Sequence, residues 1–475
     1  MVLLPSLRYV LTFTGGIAFS TWVNRRVTKR RAAQAAINKT PNKEVASPKL
    51  FIDTANAHMG SAMLKAAVEL NVFTAIAAVT RKGEAPPTAA RVAEACRCSE
   101  RGMRILLDVL TAEGFLVKSV SSRPMYTYKL TPSSGKYLDR ASPSCLADSV
   151  SWFCGDDYVK PLWTGLVDSI VTGSATAATR ETAEARRLTF ARAMGPKTRS
   201  TAVKVAAAAL ARGGARDRIL DVAAGHGMYG VLLATQHGSG RDNGHATSTL
   251  TAMDAAPLLA AAAPAAAAAG LRGARYAQLA GDPAALEWGY ASYDCVIMAN
   301  YLQTLGADAA AALLRKARAA LAPGGRAYIV EALADEDRER GEGTLMALPL
   351  LALTRDGETR TFAEVHALCV AAGFAASEVV PLPNSTQTLV VAYQEAPAPD
   401  AGVGSVKGAG VVTAAQAGPA QVGDVALFGE AARRAAREDF PSPEETTWNY
   451  PMSLGDFFSL VERMVVSSIT KNPFE

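Results

Sequence analysis

An acid, a glycine turn and a second acid carry the first chemical signal in this chain of 475 residues. The run Arg218-Ile219-Leu220-Asp221-Val222-Ala223-Ala224-Gly225-His226-Gly227-Met228-Tyr229-Gly230 reads as an apolar strand that enters a tight turn and leaves as a helix. Gly225 and Gly227 let the backbone pass close to a bound molecule, and an acid at the strand end accepts hydrogen bonds from a cationic amine. Gly225-x-Gly227-x-x-Gly230 also fits the dinucleotide fingerprint, a weak pattern that needs context. The next strand, Thr249 to Asp254, ends in an acid suited to two ribose hydroxyls, which a dinucleotide and an adenosyl sulfonium both present. Asp221 separates the two, because a carboxylate before the glycines repels a pyrophosphate and suits the ammonium of a methionine moiety.

Three further pieces follow in order: Leu279-Ala280-Gly281-Asp282, then Tyr293-Asp294-Cys295-Val296-Ile297-Met298-Ala299-Asn300, then Leu321-Ala322-Pro323-Gly324-Gly325-Arg326-Ala327-Tyr328-Ile329-Val330-Glu331. With these in place, the stretch from about Phe51 to Tyr393 resembles the small-molecule O-methyltransferases, the plant phenolic and bacterial acetylserotonin types among them. The resemblance implies an α/β fold: a Rossmann-like seven-stranded methyltransferase sheet behind an N-terminal, mainly α winged-helix domain that pairs subunits into a homodimer. It also implies S-adenosyl-L-methionine as cofactor, with Asp221, Gly225 and Gly227 in the first motif, Asp254 at the ribose and Asp282 beside adenine. Ala223 departs from the family, which has its first glycine there.

Methyl transfer is an in-line displacement at a sulfonium carbon, so positioning supplies much of the acceleration and a base is needed only when the nucleophile carries a proton. The family supplies a His just after the fourth strand. In Asn300-Tyr301-Leu302-Gln303-Thr304-Leu305 that position is Gln303, whose amide does not accept a proton near neutrality. Glu331 matches the first of the family's two supporting acids. The second aligns with Thr359, with Glu358 one place off. Gln303 and Glu331 are therefore the catalytic candidates, and the expected activity is methyl transfer to an aromatic or hydrophobic small molecule whose nucleophile needs no His. A non-catalytic scaffold subunit of a membrane assembly is the alternative, and cofactor-assisted chemistry of another kind on the same fold is a third. His226 lies inside the glycine turn and is read as loop packing, and His366, on a helix begun by a Thr361/Glu364 capping box, is read as a surface or packing residue.

The elements that must position these groups are legible in the apolar spacing. Met63, Ala66, Ala67, Leu70 and Phe73 mark a buried helix face. Thr88 and Ser99 read as caps of two more helices, and Gly114 ends the second. Phe115 to Lys118 and Tyr126 to Leu130 then read as a hairpin. Three helices and a hairpin make a winged helix, a shape used to read DNA or to pair subunits. The third helix carries acids beside its Arg residues and no polar face for bases, so pairing is expected and nucleic acid is not. A helical connection rich in aromatics follows, with Trp152, Phe153, Trp163, Phe190 and Met194. They are read as core, and a pocket wall for a flat or greasy substrate is the competing reading. The domains are placed at 1–48 (anchor or targeting segment and linker), 49–200 (winged-helix domain and connector), 201–395 (cofactor domain) and 396–475. The last is read as a flexible tail ending in an amphipathic helix that Ser453 caps.

The net charge of +5 is misleading, because residues 1–43 hold eight Lys or Arg and no acid, leaving the body slightly acidic. Nucleic-acid binding requires a concentrated basic surface, and none is evident outside that segment. Six scattered cysteines are too few for a disulfide scaffold in a chain this long. Cys96 and Cys98 have no second pair or nearby His to complete a zinc set, so no metal is expected. Residues 2–23 are mainly apolar and are followed at once by Arg25, Arg26, Lys29, Arg30 and Arg31. A single-pass membrane anchor is the simplest reading. An organelle transit peptide and a secretory signal are the others. The expected location is the membrane or interior of a mitochondrion or chloroplast.

Overall fold

The computed structural model describes residues 47–83, 86–122, 125–213, 217–236, 248–339, 341–396 and 411–413. The anchor segment expected at residues 2–23 and the terminal amphipathic helix expected after Ser453 lie outside the described residues. Among the described residues no single helix is long and apolar enough to cross a membrane.

The N-terminal half begins with α1 (Lys49–Ala55), α2 (His58–Glu69) and α3 (Val72–Lys82), then α4 (Ala89–Cys96), α5 (Glu100–Ala112) and the antiparallel hairpin β1 (Leu116–Ser122) and β2 (Met125–Leu130). The expected caps are present: Thr88 accepts from the Arg91 N–H at the start of α4, and Ser99 from the Gly102 N–H at the start of α5. Each meets a backbone donor that the first turn cannot satisfy itself. Val72, Phe73, Ile76, Val92, Met103, Leu107, Leu110 and Tyr128 close one core beneath the hairpin. On α5, Asp108 accepts from Lys118 Nζ at 2.7 Å and from the Tyr128 hydroxyl at 2.8 Å, which fastens the wing to the third helix.

The connector comprises α6 (Pro132–Tyr137), α7 (Ala147–Phe153), α8 (Asp156–Thr164), α9 (Leu166–Thr172), α10 (Ala177–Glu181) and the 29-residue α11 (Ala183–Ala211). The boundary expected between residues 200 and 201 falls inside α11, which packs on α7 in one half and on the helices of the sheet in the other.

The second half alternates β3 (Arg218–Val222), α12 (Met228–Thr235), β4 (Thr249–Asp254), α13 (Ala256–Ala268), β5 (Tyr276–Ala280), β6 (Tyr293–Ala299), α14 (Ala307–Ala320) and β7 (Leu321–Glu331). It then continues with α15 (Glu342–Leu353), α16 (Phe362–Ala371), β8 (Ala376–Pro381), β9 (Thr388–Tyr393) and β10 (Val411–Thr413). Strand order is β10-β8-β9-β7-β6-β3-β4-β5, with β3 to β7 parallel and β8, β9 and β10 antiparallel to their neighbours. Seven of these strands are the expected sheet. The eighth, β10, comes from the stretch read as a flexible tail: Val412 and its neighbours offer an extended apolar run to the open edge of β8, which otherwise exposes unpaired backbone groups.

Parallel strands are buried on both faces, and β3 shows how. Ile219 packs with Val231, Leu233 and Leu250 on the α11–α13 side, whereas Leu220 and Val222 pack with Val296, Leu313 and Ile329 on the α14–α16 side. The chain leaves β3 toward β4 on one side and later returns to β6 on the other. A crevice therefore opens at the C-terminal ends of β3 and β4, the place where open α/β sheets bind ligands.

Candidate functional site

The crevice is built by the turn after β3. Gly227 stands at φ +69°, and a Cβ on it would come within 3.0 Å of the Ala262 Cβ on α13, so both its conformation and its neighbour exclude a side chain. Gly230, in the first turn of α12, lies against the strand: an added Cβ would meet Asp221 Oδ2 at 2.6 Å. The three glycines thus serve a turn and a close helix–strand contact. Gly225, also left-handed, donates its N–H to Asp254 Oδ2 at 2.9 Å.

Ala223 is left-handed as well, at φ +53°. An L-residue there carries a cost of about 1–2 kcal/mol that glycine avoids, partly offset by glycine's freer unfolded chain. Ala223→Gly is expected to stabilise the protein by roughly 0.5–1 kcal/mol, read as a higher urea midpoint with an unchanged slope. A lower midpoint would contradict this account of the turn.

Asp221 is the penultimate residue of β3. Its side chain is buried with that of Ile219 on the α12 side, and Oδ2 accepts the Gly230 N–H at 3.0 Å. Burial pushes its carboxyl up to about 7, and the negative field of Asp254 adds to the shift. Through Oδ2 the carboxylate holds α12 onto β3. Asp254 is wholly buried at the end of β4, with Oδ1 accepting from the Ala255 N–H at 2.8 Å and from Arg187 Nη2 at 2.7 Å. Asp282, at the end of β5, is exposed at the mouth and accepts the Ala284 N–H at 2.9 Å. Tyr301 stands in the fields of Asp282, Arg187 and Asp254, so these groups share one end of the crevice, and burial pushes its hydroxyl up to about 12. His226 Nδ1 accepts the Met228 N–H at 3.1 Å, and burial holds its pKa down to about 4. The ring is a helix cap in its neutral form, which agrees with its reading as a packing residue.

Gln303 and Glu331 are brought together through the Gln303 backbone. Glu331 Oε1 accepts the backbone N–H of Gln303 at 2.8 Å, and burial raises the Glu331 carboxyl to about 7 against the opposing pull of Arg360. Arg360 donates to the carbonyls of Leu302 and Leu305, so the loop from residue 302 to 305 is clamped from two sides. Gln303 Oε1 and Glu331 Oε2 are buried without partners among the described residues. The Gln303 amide donates to Asn300 Oδ1 at 3.4 Å, Gln387 donates to the same oxygen, and Gln387 Oε1 accepts from Tyr229 at 2.6 Å. Thr359, aligned with the second family acid, is buried and its hydroxyl has no partner among the described residues. His366 is buried, with Nδ1 at 2.7 Å from the Ser377 hydroxyl, which makes it a packing residue.

Sequence reasoning missed Arg187, Arg360 and Gln387. Each reaches its partner across 55 or more residues of chain, so only the topology reveals them.

Among the described residues no group of three His, Cys, Asp or Glu is placed to hold a metal ion. The residues do fit an adenosyl cofactor: a close-approach turn, a buried acid fixed at the strand end beside it, and a second acid at the mouth of the crevice.

Two family models match the chain, an O-methyltransferase dimerisation domain over residues 52–140 and a methyltransferase domain over residues 220–327. Among solved structures, a protein of Nostoc punctiforme assigned as an O-methyltransferase is 31% identical, with 74% of this chain and 100% of that one covered and a TM-score of 0.65. Human N-acetylserotonin methyltransferase, solved with S-adenosylmethionine, is 22% identical over 75% of this chain and 100% of its own, with a TM-score of 0.62, and shares the fold. The tetracenomycin polyketide synthesis 8-O-methyl transferase of Streptomyces glaucescens is 29% identical over 134 residues, 28% of this chain. That match spans about a third of the curated relative's length, 36%.

Proposed function

The chain belongs to the S-adenosylmethionine-dependent O-methyltransferases with an N-terminal dimerisation domain, and from that premise we propose that it methylates an oxygen of an aromatic or hydrophobic small molecule. The observation that carries this reading is Asp254, a wholly buried acid held at the mouth of the glycine turn by the Gly225 N–H. Asp254 would hold the ribose, Asp282 the adenine side and the Gly225–Gly227 turn the methionine side. When bound, the cofactor supplies a sulfonium methyl carbon that is electrophilic without help from a metal. What this chain must add is a nucleophile already able to attack, because Gln303 accepts no proton and Glu331 is spent on the Gln303 backbone. The acceptor is thus a phenol acidic enough to bind ionised, oriented by the Gln303 amide.

Calorimetric titration of the full chain with S-adenosylmethionine and S-adenosylhomocysteine, followed by a methylation screen over phenols of graded acidity, tests the proposal. Saturable binding with turnover that rises with acceptor acidity is the expected result. Binding without turnover on any acceptor would overturn the enzymatic reading.

Glu331→Gln separates positioning from acid–base chemistry. A buried carboxyl raised from 4.5 to about 7 favours the folded protein while protonated, and that advantage is lost as pH rises through this window. The variant should therefore be the more stable protein at pH 8, by up to about 3 kcal/mol, and should retain most turnover because its amide oxygen still accepts the Gln303 N–H. A turnover loss of a hundredfold or more, with stability unchanged, would make Glu331 a catalytic acid or base.

The same reading makes the protein a homodimer, with Leu50, Phe51, Met59, Trp163, Val167 and Val171 exposed on the helices before the sheet as apolar contact surface. Residues 2–23 we assign, from composition alone, to an anchor or targeting segment at an organelle membrane. Recovery of residues 5–20 from the mature protein by mass spectrometry would remove the transit-peptide reading.

A further inference from the structure

The connector holds a cluster of aromatic rings that the cofactor site does not use. Trp152 lies edge-on to Phe190 with ring centres 5.4 Å apart and tilts against Tyr158 at 6.2 Å, while Phe153 meets Tyr158 edge-on at 5.3 Å. Lys197 Nζ stands 4.5 Å from the centre of the Phe153 ring. Rings at these separations hold one another at fixed angles, and a cation over a ring face is attracted by its quadrupole.

Two polar groups of this cluster are donors only, the Trp152 indole N–H and the Lys197 ammonium. Trp152 is 6% exposed, and its indole N–H has no hydrogen-bond partner among the described residues. Such a buried donor left unmade costs about 1–3 kcal/mol unless a ligand completes it. Lys197 is exposed as a residue, yet the protein around its ammonium still lowers its pKa by desolvation, opposed only by the field of Glu342 at the first position of α15. Tyr158 is the other titratable group touching the rings, and burial pushes its hydroxyl up, so it remains a neutral phenol. The cluster thus holds one buried donor without an acceptor among the described residues, the Trp152 indole N–H, together with a partly desolvated ammonium.

The cluster also faces the crevice. Residues 187, 190, 194, 197 and 201 of α11 fall within about 80° of arc at 100° per residue, so they form one stripe. At one end Arg187 bonds Asp254 at 2.7 Å. At the other Thr201 Oγ1 lies 3.2 Å from the Ser385 hydroxyl, which accepts the Gln387 N–H, and Gln387 joins Asn300 beside Gln303. Phe190, Met194 and Lys197 thus lie between the ribose acid and the loop that replaces the family's base.

We propose that Lys197 and the Trp152 indole N–H select an acceptor that carries an anionic oxygen on a planar aromatic ring, and that Lys197 holds this oxygen in its ionised form. The inference rests on the methyltransferase reading and deepens it, since an acceptor kept as its oxyanion has already lost its proton to solvent. The anion has two chemical sources, the phenol that is methylated or a carboxylate elsewhere on the ring.

The test uses the full chain with bound S-adenosylhomocysteine, and Lys197→Met, Lys197→Arg and Trp152→Phe variants checked for unchanged thermal unfolding. 4-Nitrophenol reports its own ionisation by absorbance, while 4-nitrobenzoate and neutral nitrobenzene separate charge from packing. In the unaltered protein the bound nitrophenol should ionise at least one pH unit lower than in solution. Lys197→Met should remove that shift and Lys197→Arg should keep it, with Trp152→Phe weakening the bound anion a few-fold. A tenfold loss of nitrobenzoate binding in Lys197→Met, with nitrophenol ionisation unmoved in every protein, would support the oxyanion site with a carboxylate as its source. Unchanged binding and ionisation of both anions in Lys197→Met, or an equal loss for nitrobenzene, would overturn the proposal. Failure of the methyltransferase reading is distinguishable, because S-adenosylhomocysteine would then show no saturable binding at the outset.

Discussion

Asp254→Ala should weaken S-adenosylhomocysteine binding by at least about 100-fold, close to 3 kcal/mol, with the protein still folded. Hydrogen bonds to a charged group contribute about 1.5–3 kcal/mol each, and a ribose diol makes two. The substitution also strands groups that Asp254 now satisfies. The Gly225 N–H loses its acceptor inside the turn, and Arg187 loses the ion pair that ties α11 to β4. Asp254→Asn retains an acceptor for Gly225 and should fall between the two. Calorimetry on all three proteins decides the matter: equal affinities would mean that the adenosine does not sit at the end of β4.

Gly230→Ala should destabilise the fold by about 3 kcal/mol, a cost typical of forcing extra atoms into a packed core. The added carbon would lie 2.6 Å from Asp221 Oδ2, 2.8 Å from Leu250 Cδ1 and 2.9 Å from the Asp221 Cβ. None of these can retreat easily, since Asp221 and Leu250 are buried on adjacent strands of the central sheet. The helix-propensity gain of alanine over glycine, about 1 kcal/mol, is too small to offset the clash. Denaturant unfolding measures the effect directly. A loss below about 1 kcal/mol would mean that α12 can slide away from β3, and the close approach would then not be what the third glycine secures.

Much of this architecture could be read from the chain because its signals are local. Thr88, Ser99 and the Thr361/Glu364 box announce helix starts within four residues of themselves, and all three caps form. The acids Asp221 and Asp254, near the ends of β3 and β4, sit in short apolar runs that read as buried strands. What stayed hidden is what depends on which surfaces meet. The clamp of Arg360 on Leu302 and Leu305, the link from Tyr229 through Gln387 to Asn300, and Arg187 on Asp254 all join segments far apart in sequence. The role expected of Asp221 came from the chemistry of an acid before the glycines, and that of Glu331 from its family position. Neither signal reveals the backbone N–H that each carboxylate also accepts, from Gly230 and from Gln303. The stretch after residue 396 showed only a composition that packs poorly, and a three-residue strand pairing with an existing edge leaves too short a pattern to recognise.

The length of α11 bears on how this protein can change over evolutionary time. Because one unbroken helix carries Phe190 and Lys197 of the ring cluster and Arg187, the partner of Asp254, the two halves are not interchangeable modules joined at a neutral seam. Inserting one residue between Arg187 and Lys197 would turn everything beyond it by about 100° and carry it 1.5 Å along the axis. The indel record of this protein's lineage should therefore be silent across residues 187–201.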